Sequence, residues 1–294
     1  MITYNPKDWF TFIFRFHKAD TLRALAPLIL CICAYSGLIA FLELEYLKLN
    51  ESESSHLKNI SIMNTLLSFV ISMLLVFRTN TAYDRWWEGR KHWGALVNNS
   101  RNLALKMNAI LKPTDTGNRQ FFRKTIPMYA AVLSRHLGTE QTRLALDDKE
   151  HPEWGDLDSN KHVPNQVAAL LMQRVNRLYE EGTIKGDQLI TINAELQAFT
   201  DVCGACERIK NTPIPFSYSV FLKKFIFFYV MTLPLSFVFS LGYIAIPVTA
   251  FIFYVLASLE LIAEEIEDPF GDDANDLPTK KIADNIRKHV GEIL

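Results

Sequence analysis

Three long stretches of the chain carry no Lys, Arg, Asp, Glu or His: Ala24 to Leu42, Ile60 to Phe77, and Phe225 to Leu259. The first two run 19 and 18 residues, close to the roughly 20 that a helix needs to cross a hydrocarbon layer about 30 Å thick. The third runs 35 residues, too long for one crossing and suited to two short or tilted ones, with Leu241, Gly242 and Pro247 offering a turn between them. Four transmembrane helices are therefore expected, because in lipid each backbone polar group must find its partner within the structure and a helix does this alone.

The 147 residues from Arg78 to Lys224 read differently. Val163, Val167, Leu170, Leu171, Val175 and Leu178 recur at three and four, as do Leu189, Ile192, Leu196, Phe199, Cys203, Cys206 and Ile209. Each set predicts a helix with one buried face. Phe121 to Leu137 follows the same period less regularly, and Thr139 to Pro164 reads as a long loop. No strand-like alternation of useful length occurs. The expected architecture is an all-α membrane protein: an amino-terminal segment over 1–23, two spans in 24–77, a soluble helical block over 78–224, two more spans in 225–263, and an acidic tail segment over 264–294.

Composition averages over these unlike parts. Hydrophobic residues make up 49% of the chain, with 20 Phe and 10 Tyr, which excludes a disordered polymer. The net charge of -1, from 31 basic and 32 acidic residues, lacks the basic surplus of a nucleic-acid binder. Local charge is more informative. Lys7, Arg15, Lys18 and Arg23 precede the first span, the connection from Glu43 to Lys58 holds two basic and four acidic residues, and residues 78–112 hold seven basic and two acidic. Basic residues gather on the cytoplasmic side, so both termini and the soluble block are expected there, in a multi-pass protein of the cell (inner) membrane. The first apolar run begins only after Asp8 and Asp20, unlike a cleaved signal peptide.

Candidate chemistry is sparse. Cys203 and Cys206 have CxxC spacing, but a zinc site would want a second pair and a redox site a preceding strand, which leaves helix packing. Glu264, Glu265, Glu267, Asp268, Asp272, Asp273 and Asp276 place seven carboxylates in thirteen residues around Pro269-Phe270-Gly271. Such oxygens suit hard cations. They equally suit a salt-bridge clasp or a solvated surface, and Asp272, Asp273 and Asp276 also match the DDxxD spacing of membrane enzymes that hold magnesium and a diphosphate. In the second span, at about 100° per residue, Ser61, Thr65, Ser68 and Ser72 form a polar stripe, with Phe69, Met73 and Phe77 a quarter to a third of a turn away. Small hydroxyl residues suit a packing seam or a pore lining. No acidic or basic residue lies inside any of these apolar runs, which speaks against a proton relay and leaves a passive route.

Three segments resemble signatures of bacterial members of the bestrophin family: Phe77 to Gly94 (FRTNTAYDRWWEGRKHWG), Cys206 to Tyr218 (CERIKNTPIPFSY) and Glu264 to Pro278 (EEIEDPFGDDANDLP). Together they are specific, and the order of spans and soluble block agrees over nearly the whole chain. Within the first, Tyr83, Trp86, Trp87 and Trp93 interleave with Arg78, Arg85, Arg90 and Lys91, a composition suited to a helix leaving the membrane through its headgroup layer.

This resemblance implies a homopentameric, passive ion channel rather than an enzyme, with one axial pore lined by the second span. It implies a neck formed by Phe69, Met73 and Phe77, which turns the hydroxyl stripe toward helix contacts. A cytoplasmic constriction is implied near Gly182 to Gln188, where Asp187 and Ile184 are the candidates. The acidic segment resembles a calcium clasp, with Glu265, Asp268, Asp273 and Asp276 at ligand positions. Ala274 and Asn275 interrupt the run that calcium-gated relatives carry, so no cofactor is required, and calcium is a candidate ligand only. Small anions, chloride foremost, are the expected cargo. A cation-selective pore with Asp187 on its axis, and a magnesium-dependent membrane enzyme, are the alternatives.

Overall fold

The computed structural model describes residues 21–46, 60–138, 157–158 and 161–294. Most of the amino-terminal segment 1–23, most of the connection after the first span, and much of the loop expected over 139–164 lie outside the described residues. Eight α-helices and no strand occur among those described: α1 (Thr21–Phe41), α2 (Ile60–Ile110), α3 (Thr116–Leu137), α4 (Val163–Glu180), α5 (Gly186–Asn211), α6 (Phe216–Leu241), α7 (Ala245–Glu267) and α8 (Thr279–Ile293). Three helical stretches among them are long and apolar enough to cross a membrane: Thr21–Tyr46, Ser61–Ile110 and Phe216–Glu267. The last is broken at Gly242, whose φ of 56° lies in the left-handed region that glycine tolerates. A short 3-10 turn, Gly242–Ile244, separates α6 from α7 there.

Helix ends follow local chemistry. α2 runs 51 residues without a proline and stops just before Lys112-Pro113, where the proline ring disfavours helical geometry in the residue ahead of it. Asp115 caps α3 by accepting the Asn118 N–H at 3.2 Å. His162 caps α4 through Nδ1, which accepts the Asn165 N–H at 3.2 Å. At α6 the helix begins nine residues before the charge-free run and carries Lys223 and Lys224 within it.

The described chain forms two compact units, 85–212 with 268–294, and 213–267 with the described part of 2–84. In the first, α3, α4, α5, α8 and the latter part of α2 enclose a core that includes Trp93, Leu103, Phe122, Tyr129, Leu171, Phe199 and Ile286. Burial of each such side chain contributes about 1.5–3 kcal/mol. The Tyr129 ring meets Phe199 edge to face at 4.9 Å, and its hydroxyl donates to the Phe199 carbonyl at 2.7 Å. Cys203 and Cys206 lie in this core as free thiols, so their spacing reflects a helix face.

In the second unit, Ile71 and Leu75 of α2 pack with Ile32 of α1, Leu222, Ile226, Val230 and Leu233 of α6, and Phe253 of α7. Lipid offers little hydrophobic drive between helices, so polar pairs and close packing hold spans together. Asn64 supplies such a pair: its Nδ2 donates to Ser236 Oγ at 2.8 Å, and its Oδ1 accepts from Thr232 Oγ1 at 2.8 Å. Thr21 and Ser258 hydroxyls meet at 2.8 Å, joining α1 to α7.

Candidate functional site

The first nineteen or so residues of α2 have two opposed faces. Asn64, Ile71, Leu75, Arg78 and Ala82 are buried, at spacings that keep them within about 60° on a helix of 3.6 residues per turn. Phe69, Met73 and Phe77 are 71%, 50% and 54% exposed and lie about half a turn from that stripe. Their face points directly away from the packing of their own chain and continues into the exposed Asn80 and Asp84. The hydroxyl stripe lies between the two faces. Thr65, Ser68 and Ser72 donate to the carbonyls of Ser61, Thr65 and Ser68, at 2.9, 2.7 and 2.7 Å, so these hydroxyls serve α2's own backbone.

Behind the bulky face sits a charged group that hydropathy alone passes over. Arg78 is 1% exposed, with Nε 3.3 Å from Glu260 and a terminal nitrogen 2.7 Å from Glu267. Glu267 also accepts the Ile214 N–H at 2.6 Å. Lys223 pairs with Glu264 at 2.8 Å on the exposed side of the same unit. Two of the seven clustered carboxylates, Glu264 and Glu267, are thus ion-paired with α6 and α2.

The three signature segments meet twice. Within the membrane-type unit, Arg78, Ile214 and Glu267 come one from each. Within the unit formed by 85–212 and 268–294, Arg85 donates to the Ile209 carbonyl at 2.6 Å and to the Thr212 carbonyl, satisfying acceptors left open at the carboxyl end of α5. Trp86 Nε1 donates to the Asn275 carbonyl at 3.0 Å. Gly89 lies beneath the acidic turn, where an added Cβ would stand 3.1 Å from Phe270 and 3.3 Å from Pro269. The aromatic residues divide accordingly: Trp93 is fully buried, Trp86 is half-buried, and Tyr83 and Trp87 remain exposed. Arg90 and Lys91 lie over the Trp87 ring at 5.6 and 5.9 Å.

The acidic turn closes on its own backbone. Leu277 N–H donates to the Pro269 carbonyl at 2.9 Å, Asp276 N–H to the Asp273 carbonyl at 3.2 Å, and Phe270 N–H to Asp268 Oδ1 at 3.3 Å. Asp276 is 3% exposed; its Oδ2 accepts the Asp273 N–H, while Oδ1 has no partner. Burial, with the neighbouring Asp273 and Asp268 charges adding to it, raises its pKa from 3.8 to about 7. The DDxxD spacing does not act as a unit: the stretch is an irregular turn rather than a helix, and Asp272 and Asp273 are exposed where Asp276 is buried. Among the described residues, one group of three or more His, Cys, Asp or Glu side chains has its ligand atoms within 4.8 Å, and it is His136, His162 and Glu207. None of Glu265, Asp268, Asp273 and Asp276 belongs to it.

At the start of α5, Asp187 is exposed in the first turn. Ile184, expected beside a constriction, is instead a core residue at 1% exposure, because the chain turns inward after Gly182, at φ 74°, and brings the side chain against the helices. Ile190, 73% exposed, is the large apolar side chain that this end of α5 presents to its surroundings.

A helical chain with membrane-length spans, an uncovered apolar face on the second of them and ion-paired signature segments behind it defines a class of integral membrane protein. Residues 1–292 match the family described as Bacterial/Fungal Bestrophin protein, and the chain belongs to the bestrophin family. It is 33% identical over 297 residues, covering 99% of this chain and 94% of the relative, to a voltage-dependent anion channel-forming protein of Nostoc sp.. A protein of the same description from Synechocystis sp. is 32% identical over 234 residues, 77% of this chain and 75% of the relative. The fold is similar to a crystal structure of a mutant bacterial bestrophin homologue from Klebsiella pneumoniae, with TM-score 0.79 and 26% identity over 92% of this chain and 98% of that one.

Proposed function

We propose that the protein is a passive anion channel, chloride being the simplest cargo, built as a homopentamer in which five copies of α2 surround one axial pore. The observation that carries this reading is the half-turn opposition on α2 between the packed stripe of Ile71, Leu75 and Arg78 and the uncovered stripe of Phe69, Met73 and Phe77, in a chain whose relatives are named as anion channel-forming proteins. Symmetric closure around that face makes Phe69, Met73 and Phe77 the neck. Rings of apolar side chains gate by dewetting, and phenyl edges carry partial positive charge that favours anions. Arg78 takes no part in selection on this reading, since its guanidinium is held by Glu260 and Glu267 on the far side of the helix. No enzymatic step is assigned to the acidic turn. Its closure through backbone hydrogen bonds needs no cofactor, and Asp276 Oδ1 is the atom at which a calcium ion would attach.

Four crossings, by α1, the first part of α2, α6 and α7, together with the basic residues of 78–112, support a multi-pass protein of the cell (inner) membrane with both termini cytoplasmic. The test is the purified protein in a planar bilayer under a potassium chloride gradient. The reading expects a reversal potential near the chloride equilibrium value. Reversal near the potassium value would turn it into a cation channel, for which the exposed Asp187 is the structural argument, and absence of any conductance would end the channel reading.

A further inference from the structure

Away from the spans, three side chains from three helices converge on one oxygen. His136 lies in the last turn of α3, His162 is the cap of α4, and Glu207 is on α5, 71 and 45 residues from the two histidines. His136 Nε2 stands 2.5 Å and His162 Nε2 2.6 Å from the same Glu207 Oε1, and the two imidazole rings lie 4.6 Å apart. All three groups are half-buried, with side-chain exposures of 27%, 33% and 29%, so an ion can enter and a water can complete its shell.

We propose that His136, His162 and Glu207 form a binding site for a zinc ion, which ties α3, α4 and α5 together. Two imidazole nitrogens and one carboxylate oxygen are the donor set of three-ligand zinc sites, with a fourth position left to water. Imidazoles select borderline transition ions over calcium and magnesium, which prefer all-oxygen shells. Zinc bonds of about 2.0–2.2 Å require each imidazole nitrogen to draw back from the Glu207 oxygen by less than 1 Å, a small side-chain rotation. The protons balance by tautomer exchange: each neutral histidine moves its proton from Nε2 to Nδ1 as Nε2 takes the metal. For His162 this breaks the bond from Asn165 N–H to Nδ1, which weakens zinc binding by about fivefold through loss of the cap.

The test uses the full chain purified in detergent, stripped with a chelator, and titrated with zinc chloride at pH 7.5 by calorimetry. One zinc per chain at micromolar or tighter affinity is expected, with a rise in melting temperature that calcium and magnesium do not reproduce. His162→Asn keeps a good helix cap and Glu207→Gln keeps an acceptor for both imidazoles, so both variants fold; each removes a direct ligand, so zinc binding weakens by more than the roughly tenfold typical of losing an outer-shell partner and the thermal shift shrinks with it. Cys206→Ser, which keeps the Cys203 contact with Glu207, leaves binding unchanged. Absence of stoichiometric zinc on the native chain, or binding that survives both ligand variants, or binding that disappears in Cys206→Ser, overturns the proposal.

Discussion

Replacing Arg78 with Met isolates the contribution of the buried ion pairs. Methionine keeps an apolar stem like that of arginine and favours helix, so α2 itself is little affected. What changes is the charge: Glu260 and Glu267, with side chains 5% and 13% exposed, lose the guanidinium that stands 3.3 and 2.7 Å away. At such separations and an effective dielectric near 20, each attraction is on the order of 5 kcal/mol, most of it offset by the cost of removing the charges from water. Removal of one partner exposes that cost, and buried pairs broken in this way lose about 3–5 kcal/mol. At roughly 2 °C per kcal/mol for a chain of this size, Arg78→Met should lower the melting temperature by about 6 °C or more. Adding Glu260→Gln should recover part of the loss, because it removes one of the two orphaned charges. The assay is the fraction of monodisperse protein surviving a fixed heating time in detergent, which suits irreversible unfolding. A single variant melting within about 2 °C of the native protein, or a double variant no more stable than the single, would refute the argument.

Met73→Ala should raise unitary conductance by about twofold or more by widening an apolar ring, while Asp272→Asn leaves it unchanged; single-channel recording in planar bilayers checks both, and equal conductance in Met73→Ala would remove that residue from the neck. Burial pushes the Cys203 and Cys206 thiols up to about 12, so at pH 8 roughly one in ten thousand is thiolate; both should resist maleimide for hours in the native protein and react once it is unfolded in detergent at high temperature. Folding raises the Asp276 pKa from 3.8 to about 7, so the stabilisation from its held proton is complete below about 4 and is lost as pH rises through 7, a change on the order of 4 kcal/mol. Asp276→Asn, whose side-chain oxygen can still accept the Asp273 N–H, should lose that pH slope and melt above the native protein at pH 8, with chelator present in both samples; parallel melting curves from pH 4 to 8 would count against a buried, protonated Asp276.

Helices α1, α2, α6 and α7 were legible in the sequence because long uncharged apolar runs are a matter of local composition. The turn at Gly242 was legible for the same reason, and the stripes of α4 and α5 because burial of one helix face repeats every three or four residues. Legible signatures also pointed to Arg78, Arg85, Trp86, Asn275 and the acidic turn, but as a resemblance rather than as contacts. Trp93 shows the gap: its neighbours suggest a headgroup layer, and the fold buries it completely. Ile184 shows it again, since a residue near a turn can face either way until the helices around it are placed.

By itself the sequence determined the helical class, the long apolar runs, the charges that flank them and the bulky line of Phe69, Met73 and Phe77. Only the tertiary structure decided that this line lies opposite the packed face of α2, that Arg78 is held by Glu260 from 182 residues away, and that His136, His162 and Glu207 share one oxygen. The physical reason is range. Helix period and hydropathy follow from neighbours within a few turns, whereas convergence of distant side chains depends on how whole helices pack, and no spacing along the chain encodes it.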